Sequence, residues 1–158
     1  MKKKLITVFI ILLMAIIGTI CVVKSNKTKP EEILNQYVGL LNEKKYEEMY
    51  EYITKQSKEK ISQEDFVKRN KNIYEGIDAY DIKIEIKDIE KDKEDKTTKI
   101  TYNETMSTSA GSLTFENITK IKKDEKKYKI VWSSSQIFPQ LRDTDKVRIS
   151  TIKATIGE

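Results

Sequence analysis

Residues 74–87 read YEGIDAYDIKIEIK, and the period of the apolar residues changes within this stretch. Upstream of Gly76 the apolar side chains recur at helical spacing, whereas from residue 80 to residue 86 they alternate with charged ones. Strict alternation with one charged face is typical of a half-buried strand. The stretch therefore predicts a change from helix to sheet, with Gly76 ending the last helix in the left-handed conformation.

Three helices are predicted upstream of this change. Pro30 suits the first position of a helix, and Glu31 follows Thr28 at the spacing of a capping box. The second helix covers about residues 46–53, and Ser62 caps the third. The predicted inward positions are Ile33, Leu34, Tyr37, Leu40 and Leu41 in the first helix, Tyr46, Met49, Tyr50 and Ile53 in the second, and Phe66, Val67, Asn70, Ile73 and Tyr74 in the third.

Three more strands are predicted downstream. The strands are separated by charged turns at residues 91–96 and 122–127 and by Gly111. Their apolar positions are Ile100, Tyr102 and Met106, then Leu113, Phe115 and Ile121, then Tyr128, Ile130 and Trp132. The order predicts an α+β domain in which about three helices pack on one face of a curved, four-stranded antiparallel sheet.

The amino-terminal stretch differs from the rest of the chain. Residues 5–23 carry no charge and would rise roughly 28 Å as a helix, close to the thickness of a bilayer core. This favours an uncleaved transmembrane anchor over two alternatives, a cleaved signal peptide and a lipoprotein modified at Cys21. Ile20 is bulky where a lipoprotein site needs a small residue, and no small-x-small cleavage site follows the apolar run.

The expected organisation has five parts. Residues 1–4 form a cytoplasmic tip, 5–23 the anchor, 24–29 a juxtamembrane linker, 30–140 the globular domain, and 141–158 the start of a strand leading into a following domain. This arrangement puts a single-pass protein in the plasma membrane with its domain on the extracellular face. The count of lysines on the two sides of the anchor is nearly even, so it decides the orientation only weakly.

The charge of the domain argues against a nucleic-acid partner. The whole chain is +5, but six lysines precede Pro30, and the remainder has 24 basic against 25 acidic residues. The domain therefore lacks the basic excess that binding to phosphates requires.

Residue usage also limits the chemistry. The chain has no histidine, and its one cysteine lies in the apolar run. Ser-His and Cys-His nucleophile pairs and the common zinc sites are excluded. We predict no metal and no cofactor.

Three patterns of residues are candidates for a catalytic or binding site. Ser57 with Lys60, and Ser150 with Lys153, have the Ser-x-x-Lys spacing of penicillin-binding enzymes. Neither pair has the Ser-x-Asn and Lys-Thr-Gly partners, so solvated lysines near ordinary serines are expected. Asp78 and Asp81 are interpreted as turn residues rather than as acid/base catalysts.

Four aromatic residues form the third pattern. Tyr80, Tyr102, Tyr128 and Trp132 fall on predicted strands and could line the cavity of a cone-shaped fold. Core packing is the favoured interpretation, because alternation already explains their positions.

Several segments, in order, resemble one family. Residues 30–37 (PEEILNQY), 45–50 (KYEEMY) and 66–74 (FVKRNKNIY) are similar to the first three helices of the amino-terminal domain of MecA-type class B penicillin-binding proteins. Residues 132–139 (WSSSQIFP), followed by 147–149 (VRI), resemble the exit from that domain. In this exit motif Trp132 is the last residue of the final strand, and the chain leaves the domain at Phe138 and Pro139.

The resemblance implies an NTF2-like cone fold and a single membrane anchor. It also implies a parent protein that is a peptidoglycan D,D-transpeptidase, in a family that includes relatives giving β-lactam resistance. Because no catalytic set is complete here, we expect the chain to be an amino-terminal fragment: a non-enzymatic spacer with the membrane, the following transpeptidase domain and cell-wall peptidoglycan or synthesis proteins as partners. The alternative is a stand-alone exported NTF2-like module that binds a small ligand.

Overall fold

The computed structural model describes residues 28–148, in which four helices precede one antiparallel sheet. The helices are α1 (Pro30–Asn42), α2 (Tyr46–Tyr50), α3 (Lys55–Lys58) and α4 (Gln63–Tyr74). The strands are β1 (Tyr80–Asp92), β2 (Thr97–Thr108), β3 (Gly111–Asp124) and β4 (Lys127–Ile130), and they lie in the sheet in that order. The predicted α+β class and the helices-then-meander order are confirmed.

The expected anchor at residues 5–23 lies outside the described residues. Within residues 28–148, no helix is long and apolar enough to cross a membrane.

Helix α3 is the element that the sequence did not predict. Its four residues are all polar, so they carry no apolar period. The helix begins because the Thr54 hydroxyl accepts the backbone N–H of Ser57, and both residues are buried.

The helix ends agree with the predictions only in part. Ser62 caps α4 as expected, accepting the backbone N–H of Asp65 at 3.1 Å. The N-cap of α1 is Lys29, whose side chain makes no capping hydrogen bond, and not Thr28 as the capping-box spacing implied. After α4 the left-handed conformation falls at Asp78, with a φ of 52°, rather than at Gly76.

A bulge at the start of β1 corrects the prediction for Tyr80. The pairing with β2 passes from Tyr80 opposite Ser107 to Lys83 opposite Thr105, so β1 holds one residue more than its partner. Asp81, inside the bulge, has a φ of 50°. The bulge leaves Ile82 buried and turns Tyr80 to the outer face, where 61% of it is exposed.

The core lies between the helices and the inner face of the sheet. Its fully buried apolar residues come from both layers. The largest of them are Phe66, Leu34, Met49, Ile53, Ile100, Met106, Ile121, Ile130 and Ile137.

The outer edge of β4 is paired at its last residue, Ile130. The backbone N–H of Thr54 donates to the carbonyl of Ile130 at 2.9 Å, and the N–H of Ile130 donates to Tyr52 at 2.8 Å. Covering the edge in this way satisfies the backbone groups that would otherwise recruit another chain. The strand ends at Ile130, so Trp132 lies just after β4 and not within it as predicted.

The chain beyond β4 follows an irregular path. A short 3₁₀ turn at Ser134–Gln136 is followed by residues 141–148, which contain a turn and no strand. The strand expected to start near residue 141 is therefore not seen up to residue 148, and residues 149–158 lie outside the described part.

Candidate functional site

A carboxyl group is buried at the centre of the inner sheet face. Tyr102, Glu104 and Met106 alternate along β2 and all point inward, and Glu104 is only 2% exposed. Its Oε1 atom has no hydrogen-bond partner within the described residues. Buried oxygens without a hydrogen-bond partner are rare in proteins. Such an atom indicates that a water or a ligand binds there, or that the group destabilises the fold.

The surroundings keep this carboxyl protonated. Burial raises the pKa of Glu104 to about 8, and a hydrogen bond from the Asn117 side chain opposes the rise only in part. Burial also raises the pKa of Tyr74 and of Tyr102 well above the usual range, and the neighbouring Glu104 adds to both shifts. At neutral pH the centre of the domain is thus a set of uncharged hydroxyl and carboxyl groups.

The other predicted aromatic residues separate into two locations. Trp132 is in the core, where its ring meets Phe66 edge-on at 5.0 Å between centroids. Tyr37 of α1 is buried in the same core. Tyr128 is only half-buried, with the Lys123 ammonium 5.4 Å from its ring centroid. Together with the exposed Tyr80, it stands apart from the interior cluster of Tyr102, Glu104 and Trp132.

Ser57, interpreted from the sequence as an ordinary serine, lies in the interior of the domain. It is 3% exposed, and its Oγ accepts the backbone N–H of Trp132 at 2.9 Å and donates to the Trp132 carbonyl at 3.3 Å. The Thr54 hydroxyl lies 2.9 Å away. These bonds fix α3 to the segment after β4, while Lys60 is exposed. The second Ser-x-x-Lys pair, Ser150 with Lys153, lies outside the described residues.

Asp78 and Asp81 are exposed and both have positive φ angles, 52° and 50°. The Asp81 carboxylate accepts from the Lys83 ammonium at 2.8 Å. Asp78 lies in the turn after α4 and Asp81 in the bulge of β1, and both positions agree with the interpretation that they shape the backbone.

The exit residues pack on β3. Phe138 is half-buried with its ring 5.2 Å from that of Phe115, and Pro139 is also half-buried. The Gln136 amide donates to the carbonyl of Ile118 at 2.8 Å, and the Asn117 amide donates to the Gln136 carbonyl at 3.3 Å. The chain therefore leaves the domain along a defined path.

One buried polar residue of this region, Glu104, was not singled out from the sequence, and the burial of another, Ser57, was not predicted. Glu104 could have been found, because the alternation that places Tyr102 and Met106 inward also places Glu104 inward. No local signal marks Ser57, since its partner Trp132 is 75 residues away. Among residues 28–148, no cluster of three possible Cys, Asp or Glu metal ligands occurs.

Comparison with known proteins places this fold in a family. The family model for an NTF2-like N-terminal transpeptidase domain matches residues 29–145. Penicillin-binding protein 3 of Bacillus subtilis (strain 168) is 36% identical over 165 residues, an alignment that covers all of this chain and 24% of that relative. The chain thus spans about a quarter of the length of the curated relative it matches. On the match over residues 29–145, the chain belongs to the family of NTF2-like N-terminal transpeptidase domains found in penicillin-binding proteins.

Proposed function

We propose that this chain is the non-catalytic, membrane-anchored spacer and interaction domain at the amino terminus of a penicillin-binding transpeptidase that acts in peptidoglycan synthesis. The observation that carries the proposal is the family match over residues 29–145, together with a relative that is about four times longer. A domain of this size, preceded by an apolar stretch, would hold the following transpeptidase domain at a distance from the bilayer.

The role of Ser57 supports the non-catalytic part. A serine nucleophile needs a free hydroxyl and a basic group within hydrogen-bond reach. Here the hydroxyl is bound to the main chain of Trp132 inside the core, and Lys60 is exposed. This supports a structural use of the Ser-x-x-Lys pattern.

The sequence outside the described residues supports the anchored part. Residues 5–23 have the length and composition of a membrane span, and six lysines flank them. In this proposal the protein is single-pass in the plasma membrane, the domain is extracellular, and its partners are the membrane, the following transpeptidase domain and peptidoglycan or wall-synthesis proteins. The proposal includes a link of the parent protein to the response to β-lactams.

Sequencing the gene beyond the codon for Glu158 tests the proposal. We expect an open frame that encodes a penicillin-binding domain with a complete set of Ser-x-x-Lys, Ser-x-Asn and Lys-Thr-Gly motifs. A stop codon directly after Glu158 in an intact gene would contradict the spacer function.

A stand-alone ligand-binding module is the second candidate. The Glu104 Oε1, which has no hydrogen-bond partner among the described residues, favours it, because buried polar atoms without partners are often completed by a bound molecule. The two candidates differ in one observable: the module needs no continuation after Glu158.

A further inference from the structure

The chain makes a tight turn before it leaves the described part. In this exit turn, residues 142–145, the Asp145 carboxylate accepts the backbone N–H of Arg142 at 2.9 Å and its Nε at 3.2 Å. The Asp143 carboxylate accepts the backbone N–H of Ser134 at 2.7 Å. The exit turn therefore has an internal structure and one bond to the segment after β4.

One side chain of α4 binds the whole exit turn. The Arg69 guanidinium donates from Nη1 to the Asp143 carbonyl at 2.8 Å, and from Nη2 to the carbonyls of Asp145 and, at 3.4 Å, Arg142. The donors of a guanidinium lie in a rigid plane, which allows one side chain to hold three carbonyls in a fixed geometry. The contact joins parts of the chain that are 73 to 76 residues apart.

The helix that carries Arg69 is itself firmly held. Ser62 caps it, and Phe66, one turn before Arg69, is fully buried between Tyr50 and Trp132. Arg69 is half-buried at the side of a groove of about 640 Å³ that separates α4 from the exit turn. Because α4 is held in place, the hydrogen bonds of Arg69 fix the position of the exit turn relative to that helix.

We propose that Arg69 is a positioning residue that clamps the exit turn onto α4 and so fixes the direction in which the chain leaves the domain. Building on the proposed function, the polypeptide that follows is held in one orientation to this domain instead of swinging on a free linker. Without such a clamp, an exposed polar segment between domains samples many directions, and relative domain motion is the expected behaviour.

Trypsin tests the clamp, because Arg142 and Lys146 are cleavage sites in and next to the exit turn. The full 158-residue chain in detergent is compared with Arg69→Gln and with a matched control, Lys68→Gln, whose exposed side chain neighbours Arg69 on α4. Each variant removes one tryptic site of α4. We expect cleavage after Arg142 and Lys146 to be at least about tenfold faster in Arg69→Gln, because several hydrogen bonds to a charged donor are lost.

Two further results make the test specific. Lys68→Gln should be cleaved at the wild-type rate. Arg69→Lys has a point charge in place of the planar guanidinium, so its cleavage rate should lie between those of wild type and Arg69→Gln. Cleavage at the lysines of the exposed turn at residues 91–96 should be unchanged, which separates release of the exit turn from general unfolding. Equal cleavage rates at Arg142 and Lys146 in wild type and Arg69→Gln would overturn the clamp.

The orientation is measured in the longer protein. Spin labels at the exposed Lys71 and on the surface of the following domain report a distance distribution. We expect one narrow distribution in the wild type and a clearly broader one in Arg69→Gln, while Lys68→Gln stays narrow. An equally broad distribution in the wild type would show that the exit is not fixed. If the gene ends at Glu158, the proposed function fails, yet the trypsin comparison still decides whether Arg69 clamps the turn.

Discussion

Glu104 links the stability of the domain to pH. Its pKa is about 8 in the folded chain, against an ordinary value of 4.5, because the carboxyl is buried. Between these values the folded state keeps a proton that the unfolded state has lost. The contribution of Glu104 to the free energy of unfolding is therefore largest below about pH 4.5 and falls as the pH rises to about 8.

The corresponding prediction concerns Glu104→Gln. The neutral amide removes this titration, so the variant should gain stability relative to wild type with each unit of pH between 5 and 8, by up to about 1.4 kcal/mol per unit. Urea unfolding followed by the fluorescence of Trp132, the single tryptophan, measures this. Glu116→Gln, at an exposed position of β3, is the control and should keep the wild-type profile. Parallel profiles for wild type and Glu104→Gln would show that the buried carboxyl titrates normally.

Ser57→Ala tests the bond between α3 and the segment after β4. Removing the hydroxyl leaves the buried N–H of Trp132 without a partner, which typically costs about 1–3 kcal/mol. Ser133→Ala, whose hydroxyl meets that of Ser135 in a half-buried position, should cost less than about 0.5 kcal/mol. The midpoints of urea unfolding compare the two, and a loss no larger for Ser57→Ala than for Ser133→Ala would mean that Ser57 does not hold α3 in place.

Among the elements, α4 supports both the core and the exit turn, so its cap matters. Ser62→Ala removes the acceptor for the Asp65 N–H and should lower the free energy of unfolding by about 1 kcal/mol, within a range of roughly 0.5–2. Ser62→Asn, which keeps a capping side chain, should restore most of the loss. The prediction fails if the alanine and asparagine variants are equally stable in thermal unfolding.

The elements also show how far the sequence predicts the fold. The change of period near Gly76 was sufficient to predict the helices followed by the meander, because local burial patterns carry that information. The alternation in β1 gave the wrong face for Tyr80, because a one-residue bulge reverses the face of every residue before it. The sequence patterns missed α3, whose stability comes from Thr54 and from a contact with distant Trp132 rather than from an apolar period.

The candidate site was predictable to a smaller extent. Tyr102 and Trp132 follow from alternation, and the same rule applied to Glu104 would have located the buried carboxyl. The contacts of Ser57 and Arg69 join residues more than 70 positions apart. Contacts of that kind depend on how the elements pack, which single-sequence patterns do not contain.

At the scale of the whole molecule, charge and fold divide the chain into two regions. Six lysines surround an apolar stretch, and the domain that follows is close to neutral. The family match and the length of the relative make this domain the first part of a larger protein in our proposal. A rigid fold with a clamped exit suits a spacer, whose purpose is to hold a catalytic domain at a set position.

The most direct test of that claim is the size and penicillin reactivity of the native protein. Membranes of the source cells are labelled with fluorescent penicillin, solubilised, and precipitated with an antibody raised against residues 28–148. The proposal predicts a fluorescent band at about four times the 18.4 kDa of this chain, while the 158-residue chain alone stays dark. An unlabelled native product of about 18.4 kDa would contradict it.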